Sequence, residues 1–255
     1  MNQIILSLIT GIFISAIAGY IGSLMITKRM ALVGGPLGHL ALPGVALALI
    51  YNFGIFFGAL LSIAVGAFFI WLFSLRAKLP IESLTAIVFA AGVAIGFLFL
   101  PLSHAEEALI GDITRVNLFD TILAIFLSSF LFIVIRKIYS KLTLSEISED
   151  LAKSMKIDVR KYNLIYLTSI ALVAAMEVKI VGILLTAALL AIPAAASRNF
   201  SRNIVQYSLV SVLVGSLSAV AGIFVSYEYG LPAGPLIILI SFGIFLISLI
   251  PARKV

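Results

Sequence analysis

The chain has 255 residues, 62% of them hydrophobic and only 11% charged, with a mean hydropathy of +1.23. Soluble domains carry about 25% charged residues, and several apolar runs here reach the roughly 20 residues that cross the hydrocarbon, so a soluble globular protein is excluded. The net charge of +6 would raise nucleic acid as a partner in a soluble chain; in this one it reads as membrane topology, and no nucleic acid is expected. With no cysteine, disulfides and thiolate metal sites are ruled out. No polar stretch is long enough for a separate soluble unit, so 1–255 is expected to be a single integral-membrane domain.

The N-terminal MNQIILSLIT has no cationic leader region and no clear cleavage site, and reads as the first span. Apolar segments follow at about 3–27, 31–52, 54–74, 83–101, 119–138, 162–178, 180–197, 203–225 and 234–251. The expected fold is all-α, a polytopic transmembrane helical bundle of about eight or nine spans. With the N-terminus outside and the spans alternating, 15 of the 17 Lys and Arg fall inside, and only Arg115 and Lys179 fall outside. The positive-inside rule favours that orientation. It places the C-terminus and the 139–161 loop in the cytoplasm of a multi-pass cell-membrane protein. The stretch 162–197 is ambiguous. Its halves meet at Glu177, Val178 and Lys179 with no loop, as a tight hairpin or a re-entrant pair, with Glu177 and Lys179 pairing at the tip. Charge does not choose between seven and nine full spans, and an eight-span arrangement would move one terminus.

His39 stands out in ALVGGPLGHLALPG (31–44), where Gly34, Gly35, Pro36, Pro43 and Gly44 interrupt an apolar run. An imidazole at membrane depth is costly and marks a substrate or ion path. Backbone groups freed by Gly and Pro are tolerated only against protein or a wet cavity. Gly35, His39 and Pro43 follow one another at helical spacing and share a face. Two readings stay open: His39 is a pathway ligand or gate, or it packs against a carbonyl freed by Pro43.

The stretch PLSHAEEALIGDITRVNLFD (101–120), expected outside, holds the other metal-capable cluster, His104, Glu106 and Glu107. His104 and Glu107 would share a helix face. This is either a vestibule for cations or an ordinary wet loop. Glu106, Glu107, Asp112 and Asp120 make that mouth acidic, which would draw in a cation. Glu82, after Pro80, is expected to cap its helix. Inside, SEDLAKSMKI (148–157) begins with Ser148, Glu149 and Asp150, which are N-cap and first-turn residues. With Leu151, Met155 and Ile157 on one edge it reads as a short amphipathic helix. Small residues at helical spacing, Ser15/Gly19 and Gly92/Gly96, suit close helix packing within one bundle.

Six segments in register carry a resemblance: MALVGGPLGHLALPGVALAL (30–49), LPIESLTAIVFAAGVAIGFLFL (79–100), ALIGDITRVNLFD (108–120), SEDLAKSMKIDVRKYN (148–163), EVKIVGILLTAALLAIPAAASR (177–198) and SYEYGLPAGPLIIL (226–239). Along its whole length the chain resembles the membrane permease subunits of ATP-binding-cassette importers for manganese, zinc and related metals. The resemblance implies a non-catalytic permease worked by alternating access. Its partners would be a cytoplasmic ATPase, an extracytoplasmic solute-binding protein and a second permease copy, as a homodimer, within the lipid bilayer. It implies no permanently bound cofactor, only a transported metal ion. The chain indeed has no G-x-x-x-x-G-K-S/T phosphate loop. The segment 148–157, with Glu149, Asp150, Leu151, Lys153, Met155 and Lys156, would dock in the ATPase, and His39, with Gly35 and Pro43, would lie on the path.

Two departures stand out. The family commonly has an Asp four residues before this His, where this chain has Gly35, and commonly has a Gly at the position of Lys156. A carboxylate–imidazole pair suits a borderline divalent cation, so the loss at Gly35 opens the alternatives of a metal chelate or another small solute. A stand-alone secondary transporter is the competing class. It would show intramembrane acids and a second broken helix, whereas the carboxylates here lie at span ends. An intramembrane enzyme would need paired catalytic groups at depth, and none is seen.

Overall fold

The computed structural model describes residues 3–28, 30–51, 53–100, 109–113 and 116–250. Among them only helices form: α1 (Gln3–Thr27), α2 (Ala31–His39), α3 (Ala41–Tyr51), α4 (Ile55–Arg76), α5 (Ile81–Phe99), α6 (Leu118–Ile147), α7 (Glu149–Ser154), α8 (Val159–Val181), α9 (Thr186–Phe200), α10 (Ile204–Tyr229) and α11 (Ala233–Leu249). Helix is the outcome because each apolar run must satisfy its own amides and carbonyls in lipid. The polar residues between runs set the ends. Asn117 and Asp120 form a reciprocal capping box at the start of α6, both bonds 2.9 Å. Asp158 and Asn203 accept from the third backbone N–H of α8 and α10.

Among the described residues, six stretches are long and apolar enough to cross a bilayer: Gln3–Thr27, Gly34–Tyr51, Ile55–Ser74, Leu118–Ile147, Val159–Val181 and Ile204–Tyr229. Ser83–Phe99 and Ala233–Leu249 are shorter apolar helices. The bundle is built around α8, whose most apolar stretch is 72% buried, against 28% for α6. Large apolar side chains on α4, α5, α6 and α10, such as Leu61, Phe97, Phe126 and Leu213, remain exposed, as a lipid-facing surface requires. Helices approach closely where small residues meet. A Cβ on Gly19 would fall 2.3 Å from the Ser211 carbonyl oxygen, and one on Gly44 1.8 Å from that of Gly58. Gly92 and Gly96 receive Leu40 and Leu42 of the same chain, so both small-residue pairs pack within the bundle.

The break expected at 177–179 is not there. Helix α8 runs on through Glu177 and Lys179 and ends at Gly182, where φ is +76°. Its 23 residues suffice for a crossing, so the first arm of 162–197 is not short. The chain turns where Gly182 meets Gly111, also left-handed at φ +72°, at a spacing that leaves no room for a Cβ on either. Backbone bonds Asp112 N–H to Lys179 O (3.2 Å) and Leu184 N–H to Leu109 O (3.3 Å) fix the turn.

Glu177 and Lys179 do not pair with each other. Lys179 reaches across to Asp120 on α6, while Glu177 is fully buried and neither carboxylate oxygen finds a hydrogen-bond partner among the described residues. Sequence proximity suggested a pair, but two residues apart on a helix point in different directions. Burying a polar group without a partner is destabilising. Replacing Glu177 with Met, of similar length, is therefore expected to raise stability by about 1–3 kcal/mol. Thermal unfolding of the detergent-solubilised protein checks this; a lowered midpoint would mean the carboxylate has a partner after all.

Candidate functional site: a broken helix and its imidazole

Helix α2 stops at His39 and α3 starts at Ala41, with Leu40 as a turn between them. Pro43 lacks the N–H that would have bonded to the His39 carbonyl, and its ring disfavours a continuous helix there. The neighbouring carbonyl of Leu40 is satisfied from α4, by the Ser62 hydroxyl at 2.6 Å. Leu40 itself fills the space over Gly66 of α4 and Gly92 of α5. On the other flank α2 lies directly on the start of α9. A Cβ on Gly38 would fall 1.9 Å from Thr186 Oγ1, and one on Gly35 3.3 Å from Ala187 Cβ. The break is thus held on both sides by polar or close contacts.

His39 is half-buried. Its Nδ1 lies 2.9 Å from the Gly35 carbonyl oxygen, and its ring meets Phe89 of α5 edge-on, with centroids 5.5 Å apart. A carbonyl only accepts, so Nδ1 carries the proton and donates. The neutral ring then keeps its lone pair on Nε2, the usual way a protein prepares an imidazole to bind a metal. The carbonyl that orients the ring is that of Gly35, one turn back, rather than one freed by Pro43. No group of three or more His, Asp or Glu capable of holding a metal forms among the described residues. A side chain at position 35 would press on Ala187 at the start of α9, so Gly35 goes with close α2–α9 packing. Ser62, Phe89 and Thr186 escaped the sequence reading because nothing local marks a contact made across the bundle.

His104, Glu106 and Glu107 lie outside the described residues. At the end of the bundle where α1 begins, Asp112 is partly buried at the Gly182 turn. Asp120, expected to be part of an acidic mouth, is already committed to capping α6 and to Lys179.

The opposite end holds the 148–157 segment. Ser148 Oγ accepts from Leu151 N–H at 3.2 Å, capping the six-residue helix α7, which carries Glu149, Asp150, Leu151 and Lys153. The side chains of Glu149 and Lys153 lie outside the description, and Asp150 is exposed. Ala152 is buried, whereas Ile147, Leu151 and Met155 are 75%, 47% and 60% exposed. Leu151 and Met155, four apart, share one face of α7 and its closing turn, while Ile147 ends α6 before the extended Ser148. Lys28 is 7% exposed and joins the end of α1 to Glu146 on α6 (3.6 Å) and Asn163 on α8 (3.3 Å). Burial pushes its ammonium below the usual lysine range, and the Glu146 carboxylate opposes that shift.

Lys156 is the sole described non-glycine residue with positive φ, at 57°. Ile157 N–H bonds to Ala152 O at 3.0 Å, the long closing bond of a helix stop whose left-handed residue is usually Gly. The left-handed region costs a residue with a Cβ about 1–2 kcal/mol, of which Gly returns part through its looser unfolded chain. Lys156→Gly is expected to stabilise this turn by about 0.5–1 kcal/mol. Amide exchange at Met155 and Ile157 should slow about two- to fivefold; faster exchange would contradict the geometry.

The profile of the ABC 3 transport family matches residues 1–252. The manganese import system permease protein ScaB of Streptococcus pneumoniae is 30% identical over 261 residues, covering 97% of this chain and 90% of that protein. The high-affinity zinc uptake system membrane protein ZnuB of Buchnera aphidicola subsp. Baizongia pistaciae is 28% identical, covering 94% of each. Among solved structures, PsaBC from Streptococcus pneumoniae in complex with Fab superimposes with a TM-score of 0.87 at 26% identity, covering 100% of this chain and 93% of that one. With its apolar helices, its broken His39 segment and this match over nearly every residue, the chain belongs to the ABC 3 transport family, as the multi-pass membrane permease subunit of an ATP-binding-cassette importer.

Proposed function

We propose that the chain moves a divalent metal ion of the zinc or manganese kind and that His39 binds it in passage. The observation that carries the reading is the imidazole at a broken helix with Nδ1 tied to Gly35 and Nε2 free to coordinate. The relatives named for manganese and zinc support the same cargo. Imidazole suits both zinc and other first-row divalent ions. One imidazole is a sparse donor set, so a second permease copy would add its own His39 across a shared path. Gly35, which leaves the site without the family's usual carboxylate, favours a metal chelate as the second reading.

The remaining parts follow from that reading. The chain crosses nine times, with α2 and α3 counted as one crossing, the N-terminus outside and the cations at the inner ends. The extracytoplasmic binding protein delivers cargo at the end that carries Asp112, with His104, Glu106 and Glu107 nearby in sequence. A cytoplasmic ATPase docks on α7, where the exposed Leu151 and Met155 suit a hydrophobic groove. Lys28, held to Glu146 and Asn163, passes movement of α7 to α1. The chain itself catalyses nothing, and 1–255 acts as one permease domain.

Reconstitution with the neighbouring ATPase and binding protein in liposomes tests this. ATP-dependent uptake should appear for one of manganese, zinc, iron or cobalt. His39→Ala should lower it at least about tenfold, the scale of one lost ligand or its orienting partner, while the binding protein still stimulates ATP hydrolysis. Unchanged uptake would remove His39 from the path.

A further inference from the structure

Away from the broken helix, a crevice of about 410 Å³ opens between α6 and α10 on the flank of α1. Its polar end is formed by Arg136, Tyr139, Ser140 and Ser208, and its walls by Phe132, Ile204, Val205 and Leu209. No acidic side chain lines it. Arg136 has no carboxylate partner among the described residues. The neighbouring cation Lys141 is already engaged, donating to the Tyr162 hydroxyl at 2.6 Å and lying 4.7 Å from its ring centre. Tyr139 is held in place by Ser208, 3.1 Å from its hydroxyl, and Tyr20 stacks at a tilt between Tyr139 and Phe132.

Phe132 also lines a second crevice, of about 340 Å³, which runs on along the same three helices past Ile133, Ser129 and Phe13. Its lining is almost wholly apolar. From Arg136 to Ser128 the rise along α6 is about 12 Å. A guanidinium flanked by hydroxyls at one end and an apolar trough at the other match a phosphate on an acyl chain. Basic crevices between spanning helices hold anionic headgroups in this way, and Arg suits phosphate because its planar donors can bind two oxygens at once.

We propose that this groove is a binding site for an anionic phospholipid, with the headgroup phosphate on Arg136 and the Tyr139 and Ser140 hydroxyls and one acyl chain lying past Phe132 toward Ile133. A lipid held here wedges α6 and α10 against α1, the helix whose far end carries Lys28. An arginine that merely reached bulk headgroups would need no trough beneath it.

The test uses the full chain, delipidated in detergent, with dioctanoyl phosphatidylglycerol as probe and binding read by native mass spectrometry. Wild type should bind it and should bind dioctanoyl phosphatidylcholine several-fold more weakly. Arg136→Gln should weaken phosphatidylglycerol binding about tenfold, the scale of a lost charge-assisted hydrogen bond. Ile133→Trp, which changes an exposed side chain and leaves every charge in place, should weaken both lipids by blocking the trough. Equal binding of the two lipids, or no effect of Arg136→Gln, would overturn the proposal. Inorganic phosphate competing as well as the lipid would reduce the site to a free-anion site. Efficient cross-linking of Val205→Cys chains to each other in membranes would instead make the groove a contact between copies.

Discussion

In hydrocarbon no water is at hand to satisfy a peptide group, so a spanning helix can be interrupted only where protein replaces the lost bonds. The break at Leu40 obeys this constraint, and the candidate site depends on it. Pro43 withdraws one N–H. Ser62 from α4 supplies the Leu40 carbonyl, Leu40 closes the gap over Gly66 and Gly92, and His39 turns its Nδ1 back to Gly35. What remains is an imidazole whose second nitrogen is available, on a helix end fixed by its neighbours. The ring could not be aimed this way from an unbroken, lipid-facing helix without exposing a polar group.

Much of this could be read from the residues, because the relevant physics is local. Apolar run length marks helices, Gly and Pro mark the break, Ser148 marks the start of α7, and the clustering of Lys and Arg orders the ends. The position of Lys156 was legible in the same way: at a place where the family resemblance implies Gly, Lys156 occupies the left-handed backbone that Gly prefers. What escaped was contact between distant segments. The pairing of Asp120 with Lys179 spans 59 positions, and adjacency in sequence made Glu177 look like the partner instead. The end of α8 was also misplaced, since the charged Glu177 and Lys179 look like a turn, whereas the helix runs on until the left-handed Gly182, pressed on Gly111, stops it.

The two ends of the bundle are built differently. Where α1 begins, Asp120 caps α6 and holds Lys179, and backbone bonds tie Asp112 and Leu109 to the Gly182 turn. At the opposite end, Lys28 is buried and held to Glu146 and Asn163, and Arg136 faces a crevice without a counter-charge. The small-residue contacts between α1 and α10 and between α3 and α4 join these ends through tightly packed helices, so a shift at one end has little slack to absorb it.

Contact between His39 Nε2 and the transported metal is open to direct measurement. The chain has two histidines, so X-ray absorption can address it directly in the His104→Ala background. The full chain in nanodiscs, loaded with zinc, should show an imidazole nitrogen at about 2.0–2.1 Å from the metal, and the signal should vanish when His39→Ala is added. Only oxygen neighbours around zinc, or a nitrogen signal that survives the loss of His39, would contradict the account.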